Sequence, residues 1–252
     1  MSLNGKVALV TGAGRGIGRA LATALAESGV RVACVARSED ELSRTVELIT
    51  SGGGSAVAVP ADLGDAGTVP DVVHRVTAEL GSPDLLVNNA ATVEPLGPST
   101  DMKPDAWHAA FTLNVITPAA LSAALLPGMT GAGWGRIVNV SSGIVARPGT
   151  MIGGNAYAAT KAALEAHSLN LATEVAGTGV TVNVYRPGTV DTAMQAWIRR
   201  TGRGRLDGAT YTRFVRNHEE GGLISSDDSA RALLDRLAGD ATGQVWDVHD
   251  SR

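Results

Sequence analysis

Lys6-Val7-Ala8-Leu9-Val10-Thr11-Gly12-Ala13-Gly14-Arg15-Gly16-Ile17-Gly18 begins as a run of β-formers and ends as a glycine-rich turn. A short apolar run closed by glycine predicts a strand buried on both faces, as a parallel sheet requires. Beyond the turn, Ile17, Leu21 and Leu25 fall on one face of a helix. Strand, glycine turn and helix start in succession make a cradle for a phosphate. The glycines let backbone approach the anion, and the helix start offers free N–H groups and the positive end of its dipole. The spacing is G-x-x-x-G-x-G over Gly12, Gly16 and Gly18, because Ile17 stands where G-x-G-x-x-G would have its last glycine.

Outward from this turn, strands and helices alternate. Val30 to Ala36 predicts a second strand, and the residue just beyond it would meet the ribose 2′ position of a bound dinucleotide. An acid there accepts from a 2′-hydroxyl, whereas a cation pairs with a 2′-phosphate. This chain has Arg37 and no acid before Glu39, and Arg15 in the glycine turn can reach the same phosphate. NADP(H) is therefore expected ahead of NAD(H). Ser38-x-x-Glu41 is a capping box that opens the next helix. Residues 56–60 read as a third strand, followed by Ala61-Asp62-Leu63, where Asp62 either accepts from an adenine amino group or caps the next helix, over about 66–80. A fourth strand over 84–87 runs into Asn88-Asn89-Ala90-Ala91, small and amide residues that suit close approach of a cofactor.

A long helix is expected from 105 to about 126, kinked near Pro118, with Asn114 placed as a satisfier of broken backbone bonds. Residues 135–140 form a fifth strand ending in Ser141-Ser142, 180–185 a sixth followed by Arg186-Pro187-Gly188-Thr189-Val190-Asp191-Thr192, and 244–248 the last, after a helix over about 226–238. The pattern is α/β throughout, one doubly wound parallel sheet of about seven strands with helices on both faces and residues 1–252 in a single domain. Every polar candidate lies just past a strand or on the helix after it, the edge where open parallel sheets bind ligands.

Bulk composition narrows the function. A net charge of −4 without a basic stripe gives no footprint for nucleic acid or an anionic membrane. No uninterrupted apolar run reaches the roughly 18 residues of a membrane span, and Met1 leads into the first strand without a signal-peptide pattern. The single Cys34 sits in an apolar run, which fits an inert buried thiol and a reducing cytoplasm.

Tyr157-Ala158-Ala159-Thr160-Lys161 lies in a stretch, Asn155 to Glu174, that reads as helix. Residues four apart share a helix face, so a phenol and an ammonium are held together by backbone geometry. A free tyrosine titrates near 10, and a neighbouring cation would draw that value down towards working pH. The bland alternative is an amphipathic helix with a packed tyrosine and a solvated lysine.

With Thr11-Gly12-x-x-x-Gly16-Ile17-Gly18, Asn88-Asn89-Ala90, Asn114, Ser142, Tyr157-x-x-x-Lys161 and Pro187-Gly188 in this order, the chain resembles the short-chain dehydrogenase/reductase family along its whole length. The resemblance implies a Rossmann fold and a four-part catalytic site. Tyr157 would exchange a proton with the substrate oxygen, Ser142 would hydrogen-bond that oxygen, Lys161 would hold the nicotinamide ribose and depress the tyrosine pKa, and Asn114 would anchor a water. Cofactor contacts would come from Gly12, Arg15, Gly16, Ile17, Gly18, Arg37, Asp62, Leu63, Asn88, Ala90, Pro187, Gly188, Val190 and Thr192, with Tyr157 and Lys161. Ser142 is preferred to Ser141 by its register after Asn139. The ending Trp246-Asp247-Val248-His249-Asp250 replaces the Asp-Gly-Gly of many relatives and looks like the sepiapterin and benzil reductase branch, where Asp247 would be either a substrate contact or a solvated strand end.

Residues 193–222, with Trp197, Tyr211, Phe214 and six arginines, suit a substrate-binding lid, the arginines serving either an acidic substrate or a solvated face. The expected activity is an NADP(H)-dependent carbonyl reductase; a 3-oxoacyl-thioester reductase and a non-catalytic NADP(H) sensor are the alternatives. The resemblance also implies a homotetramer or homodimer.

Overall fold

A computed structural model describes residues 2–250; Met1 and residues 251–252, which the sequence reading includes, lie outside the described residues. Among these, seven strands form one sheet: β1 (Val7–Thr11), β2 (Arg31–Ala36), β3 (Ser55–Pro60), β4 (Leu85–Asn88), β5 (Gly135–Val140), β6 (Val180–Arg186) and β7 (Val245–Asp247). Their order is β3-β2-β1-β4-β5-β6-β7 and every pairing is parallel. The chain winds from β1 out to one edge, then crosses back to β4 and winds out to the other. Between β1 and β4 the connections part to opposite faces, which opens a crevice at the carboxyl ends of the strands.

Alternation along the strands explains the two layers of helix. Ala8 and Val10 point to a core shared with α1 (Gly16–Glu27), α2 (Glu39–Ser51) and α9 (Ser226–Leu237). Val7 and Leu9 point to the opposite core, filled by α3 (Val69–Leu80), α5 (Thr117–Gly131) and α6 (Asn155–Glu174). Cys34 is fully buried in the first, and burial pushes its thiol up to about 12, so it carries no thiolate near neutrality. A third apolar cluster caps the carboxyl edge, joining Val93, Ile144 and Met151 to Ile198, Leu206 and Phe214. Ile198 comes from α7 (Ala193–Thr201), Phe214 from α8 (Gly208–Glu219) and Leu206 from the turn between them, so residues 193–222 form two helices above the crevice.

The long central helix departs from expectation in two ways. It starts as α4 (Pro104–Phe111), passes through a π-helical segment, Thr112–Ile116, and continues as α5. Pro118 explains the break, since it has no N–H to return to the Asn114 carbonyl four residues back. The whole helix, Pro104–Gly131, also reaches membrane length, with mean hydropathy 1.7 in its most apolar window. That corrects the expectation from uninterrupted apolar runs, which small residues and lone polar positions conceal. The helix packs against α3, α6 and β5 as a core element of the sheet's second layer.

A buried polar chain crosses the layers at the centre. Asn88 Nδ2 donates to Asn139 Oδ1 at 2.8 Å, Asn139 Nδ2 to Ser168 Oγ at 2.8 Å, and Ser168 Oγ to the Leu164 carbonyl at 2.6 Å. It pins β4, β5 and α6 in register beneath the crevice. Asn139→Ala strips partners from two buried groups and is expected to cost about 2 kcal/mol, read as a lower urea midpoint at unchanged slope.

Candidate active site

The carboxyl end of β5 is fastened to α6 residue by residue. Lys161 Nζ donates to the Val140 carbonyl at 2.7 Å. Ser141 Oγ donates to Glu165 Oε1 at 2.7 Å. Ser142 faces Tyr157, and its oxygen also accepts from Ile144 N at 3.3 Å, capping a short turn. Tyr157, Lys161 and Glu165 follow at intervals of four along one helix face, which places them above, at and below the strand end.

Tyr157 and Ser142 line a crevice of about 900 Å³, together with Ile17, Pro187, Gly188, Val190 and Thr192 from the opposite wall. Lys161 lies under this floor, 2% exposed, its Nζ 5.9 Å from the Tyr157 ring centroid. Ser141 lines the crevice too, with its hydroxyl donated to Glu165.

Electrostatics here differ from the sequence expectation. Burial pushes the Tyr157 phenol above its ordinary value, against the opposing effect of the Ser142 hydrogen bond. Lys161 does not draw it down: burial has lowered Lys161 itself to about 8, with the Glu165 carboxylate acting to raise it. Sequence shows the neighbouring cation but not the loss of solvent, and here the loss of solvent dominates.

The glycine turn fits an anion. Helix α1 begins with no side-chain cap and no acid in its first turn, so its leading N–H groups are free to meet a phosphate. Gly12 and Gly16 have φ of 67° and 55°. A Cβ at Gly18 would lie 2.2 Å from the Gly12 carbonyl, so only glycine lets the turn close there. Arg37 is exposed and makes no ion pair among the described residues. Arg15 is also exposed, but its Nη1 stands 3.3 Å from Glu41 Oε1.

The remaining predicted contacts divide. Asn88 turns its side chain into the sheet towards Asn139. Its neighbour Asn89 holds the turn instead, donating to the Thr11 carbonyl at 2.9 Å, while Ala90 N donates to Thr11 Oγ1 at 3.0 Å. Asp62 is exposed and accepts from Gly64 N at 3.0 Å; the cap before α3 belongs to Asp65, not Asp62. Leu63 is buried, and its carbonyl accepts from Thr117 Oγ1 at 2.9 Å. The Asn114 amide spans Thr92 N, the Thr92 carbonyl and Thr160 Oγ1 at 2.8–3.0 Å, so its side chain braces a loop against α6. Asp247 lines the crevice, but its carboxylate accepts from His249 N at 3.1 Å. Of the arginines over 193–222, Arg216 is spent on Glu220 and Arg213 on the Thr150 carbonyl.

Two groups beneath the crevice, Glu165 and Arg186, are given no role by the sequence alone. Glu165 is 6% exposed and grips Arg186 through two bonds, Nε to Oε1 at 2.9 Å and Nη2 to Oε2 at 2.8 Å, besides accepting from Ser141. The i, i+4 spacing from Lys161 to Glu165 was the available signal.

Comparison with known proteins gives a consistent picture. A family model described as short chain dehydrogenase matches residues 6–202. A short chain dehydrogenase of Pseudocercospora fijiensis is 39% identical over 196 residues, 77% of this chain and 62% of that one. Among solved structures, a blue fluorescent protein from a metagenomic library, in complex with NADPH, superposes with a TM-score of 0.84 at 31% identity, covering 98% of both chains. The 3-ketoacyl-(acyl-carrier-protein) reductase of Brucella melitensis, complexed with NADH, superposes with a TM-score of 0.84 at 28% identity, again over 98% of both chains.

The lowered Lys161 has a measurable signature. Below about 8 the folded chain holds a buried ammonium, and above 10.5 both folded and unfolded states are neutral there. Between these values the unfolded state binds more protons, so Lys161 makes stability rise with pH. Lys161→Met is therefore expected to gain on the parent at pH 7 and to lose that gain as pH climbs from 8 to 10.5, measured by denaturation at each pH.

Proposed function

Since the chain belongs to the short chain dehydrogenase family, whose members are oxidoreductases with nicotinamide cofactors, we propose that it moves a hydride between NADP(H) and a carbonyl or secondary alcohol. The observation that carries this reading is the placement of the Tyr157 hydroxyl on the crevice wall beside Ser142, above the buried Lys161. The bound nicotinamide supplies the hydride; the protein supplies orientation and the proton.

Tyr157 exchanges the proton with the substrate oxygen. Its raised pKa keeps the phenol protonated at neutral pH, which suits donation to a carbonyl oxygen as it is reduced. Ser142 donates to the same oxygen. Lys161 holds the nicotinamide ribose from below. Asn114 fixes the π-helical turn through its amide and anchors a water beside Lys161.

Gly12, Gly16, Ile17 and Gly18 receive the pyrophosphate, and Pro187, Gly188, Val190 and Thr192 form the facing wall. Arg37 and Arg15 read the 2′-phosphate, with Arg15 first leaving Glu41. Asp62, Leu63, Asn88 and Ala90 flank the adenosine and ribose through the strand ends that carry them. Residues 193–222 close over the substrate as a lid, and Val93, Ile144, Met151, Met194 and Phe214 favour a substrate with an apolar body. The C-terminal Asp247, at the crevice, supports the sepiapterin and benzil reductase branch. Exposed Ile116 and Leu169, on the central helix and α6, support a homodimer or homotetramer paired through those helices.

A second reading, a 3-oxoacyl-thioester reductase, is supported by the Brucella melitensis neighbour, and a ketone panel that includes such thioesters separates the two. A cofactor sensor without chemistry would bind NADPH and reduce nothing in that panel. Tyr157→Phe should lower turnover by about 10²- to 10⁴-fold while NADPH still binds; surviving turnover refutes the proton-transfer role. Arg37→Asp should weaken NADPH about tenfold or more and leave NADH nearly unchanged. Glu41→Gln releases Arg15 and should tighten NADPH by about two- to fivefold, both read by fluorescence titration.

A further inference from the structure

The ion pair under the catalytic floor is larger than a structural brace requires. Glu165 is buried on the same face as Lys161, one helical turn on, and its two oxygens receive Ser141 Oγ, Arg186 Nε and Arg186 Nη2, all within 2.9 Å. Arg186 ends β6 and is backed by the carboxylates of Asp247 and Asp250. Charges of alternating sign thus run from Lys161 through Glu165 and Arg186 to the C-terminal segment. Around Lys161 stand Tyr157 and Glu165 from its own helix and the Val140 carbonyl from β5, with Ser141 just past β5 and Arg186 at the end of β6 reaching Glu165 from the other side. Among these only Glu165 carries negative charge at neutral pH.

We propose that Glu165 is a positioning residue for the reaction: its carboxylate, aimed by Arg186, keeps Lys161 in the ammonium form and holds the Ser141–Ser142 strand end in register with Tyr157. This rests on the assignment of Lys161 to the ribose site above. A lysine taken out of water loses its proton readily, and an opposite charge one turn away restores it. A neutral Lys161 would keep one lone pair and two donors but no field on the phenol or the cofactor.

The chain has three lysines, Lys6, Lys103 and Lys161, so ¹³C-labelled lysine gives a resolvable titration by NMR without cofactor. The parent Lys161 signal is expected to titrate near 8. In Glu165→Gln it should move down by about one unit, a tenfold weaker hold on the proton, with Lys6 and Lys103 unmoved. The alkaline break in kcat/KM for carbonyl reduction should move down with it. If Glu165→Gln does not fold, Glu165→Gln combined with Arg186→Met removes both charges of that buried pair together and should still lower the Lys161 titration. An unmoved Lys161 signal in either folded variant overturns the proposal, as does a loss of kcat with the pH break in place. Failure of the enzymatic assignment is separately visible, as activity that survives Tyr157→Phe.

Discussion

The 2.7 Å bond from Lys161 Nζ to the Val140 carbonyl joins the one strand end and the one helix that the rest of the site is built around. A strand's last carbonyl has no further ladder partner, and a buried ammonium has no water; each satisfies the other. On either side of that bond, Ser141 meets Glu165 and Ser142 meets Tyr157, so strand and helix cannot slide past one another without breaking three polar contacts at once. The Asn88–Asn139–Ser168 chain repeats the logic one layer deeper. A buried polar network of this kind is costly when incomplete and specific when complete.

Local pattern made the fold legible. β-formers closed by glycine, helix faces at 3.6-residue spacing and the Ser38 cap are written in neighbouring residues, and α6 spans Asn155–Glu174 as its sequence implies. Candidate site residues that follow strands were legible for the same reason, since an open parallel sheet brings all strand ends to one edge. What was not legible depends on solvent exclusion or on distant partners. The sign of the Tyr157 shift follows from burial, which no spacing reveals. The Glu165–Arg186 grip joins residues 21 apart in sequence, and Glu41 bends back onto Arg15 from 26 residues away. Asn88 and Asn89 are adjacent, yet strand alternation sends one inward and leaves the other on the glycine turn, a choice set by where β4 ends.

Pro118 shows how one missing N–H shapes a site at a distance. It breaks the helix ladder at Asn114, the π-helical turn accommodates the break, and the amide of Asn114 reaches across to Thr92 and Thr160. The residue that first reads as a repair to the backbone is also the one that ties the repaired turn to α6, the helix carrying Tyr157 and Lys161.

Ser142 receives the Ile144 N–H on its oxygen. That occupies one lone pair and leaves the hydroxyl hydrogen free to donate, and Ser142 acts to lower the Tyr157 phenol. A hydroxyl whose oxygen already accepts from the backbone has its hydrogen left over for a second partner. An acceptor arriving in the crevice can meet that hydrogen without displacing the backbone contact beneath it.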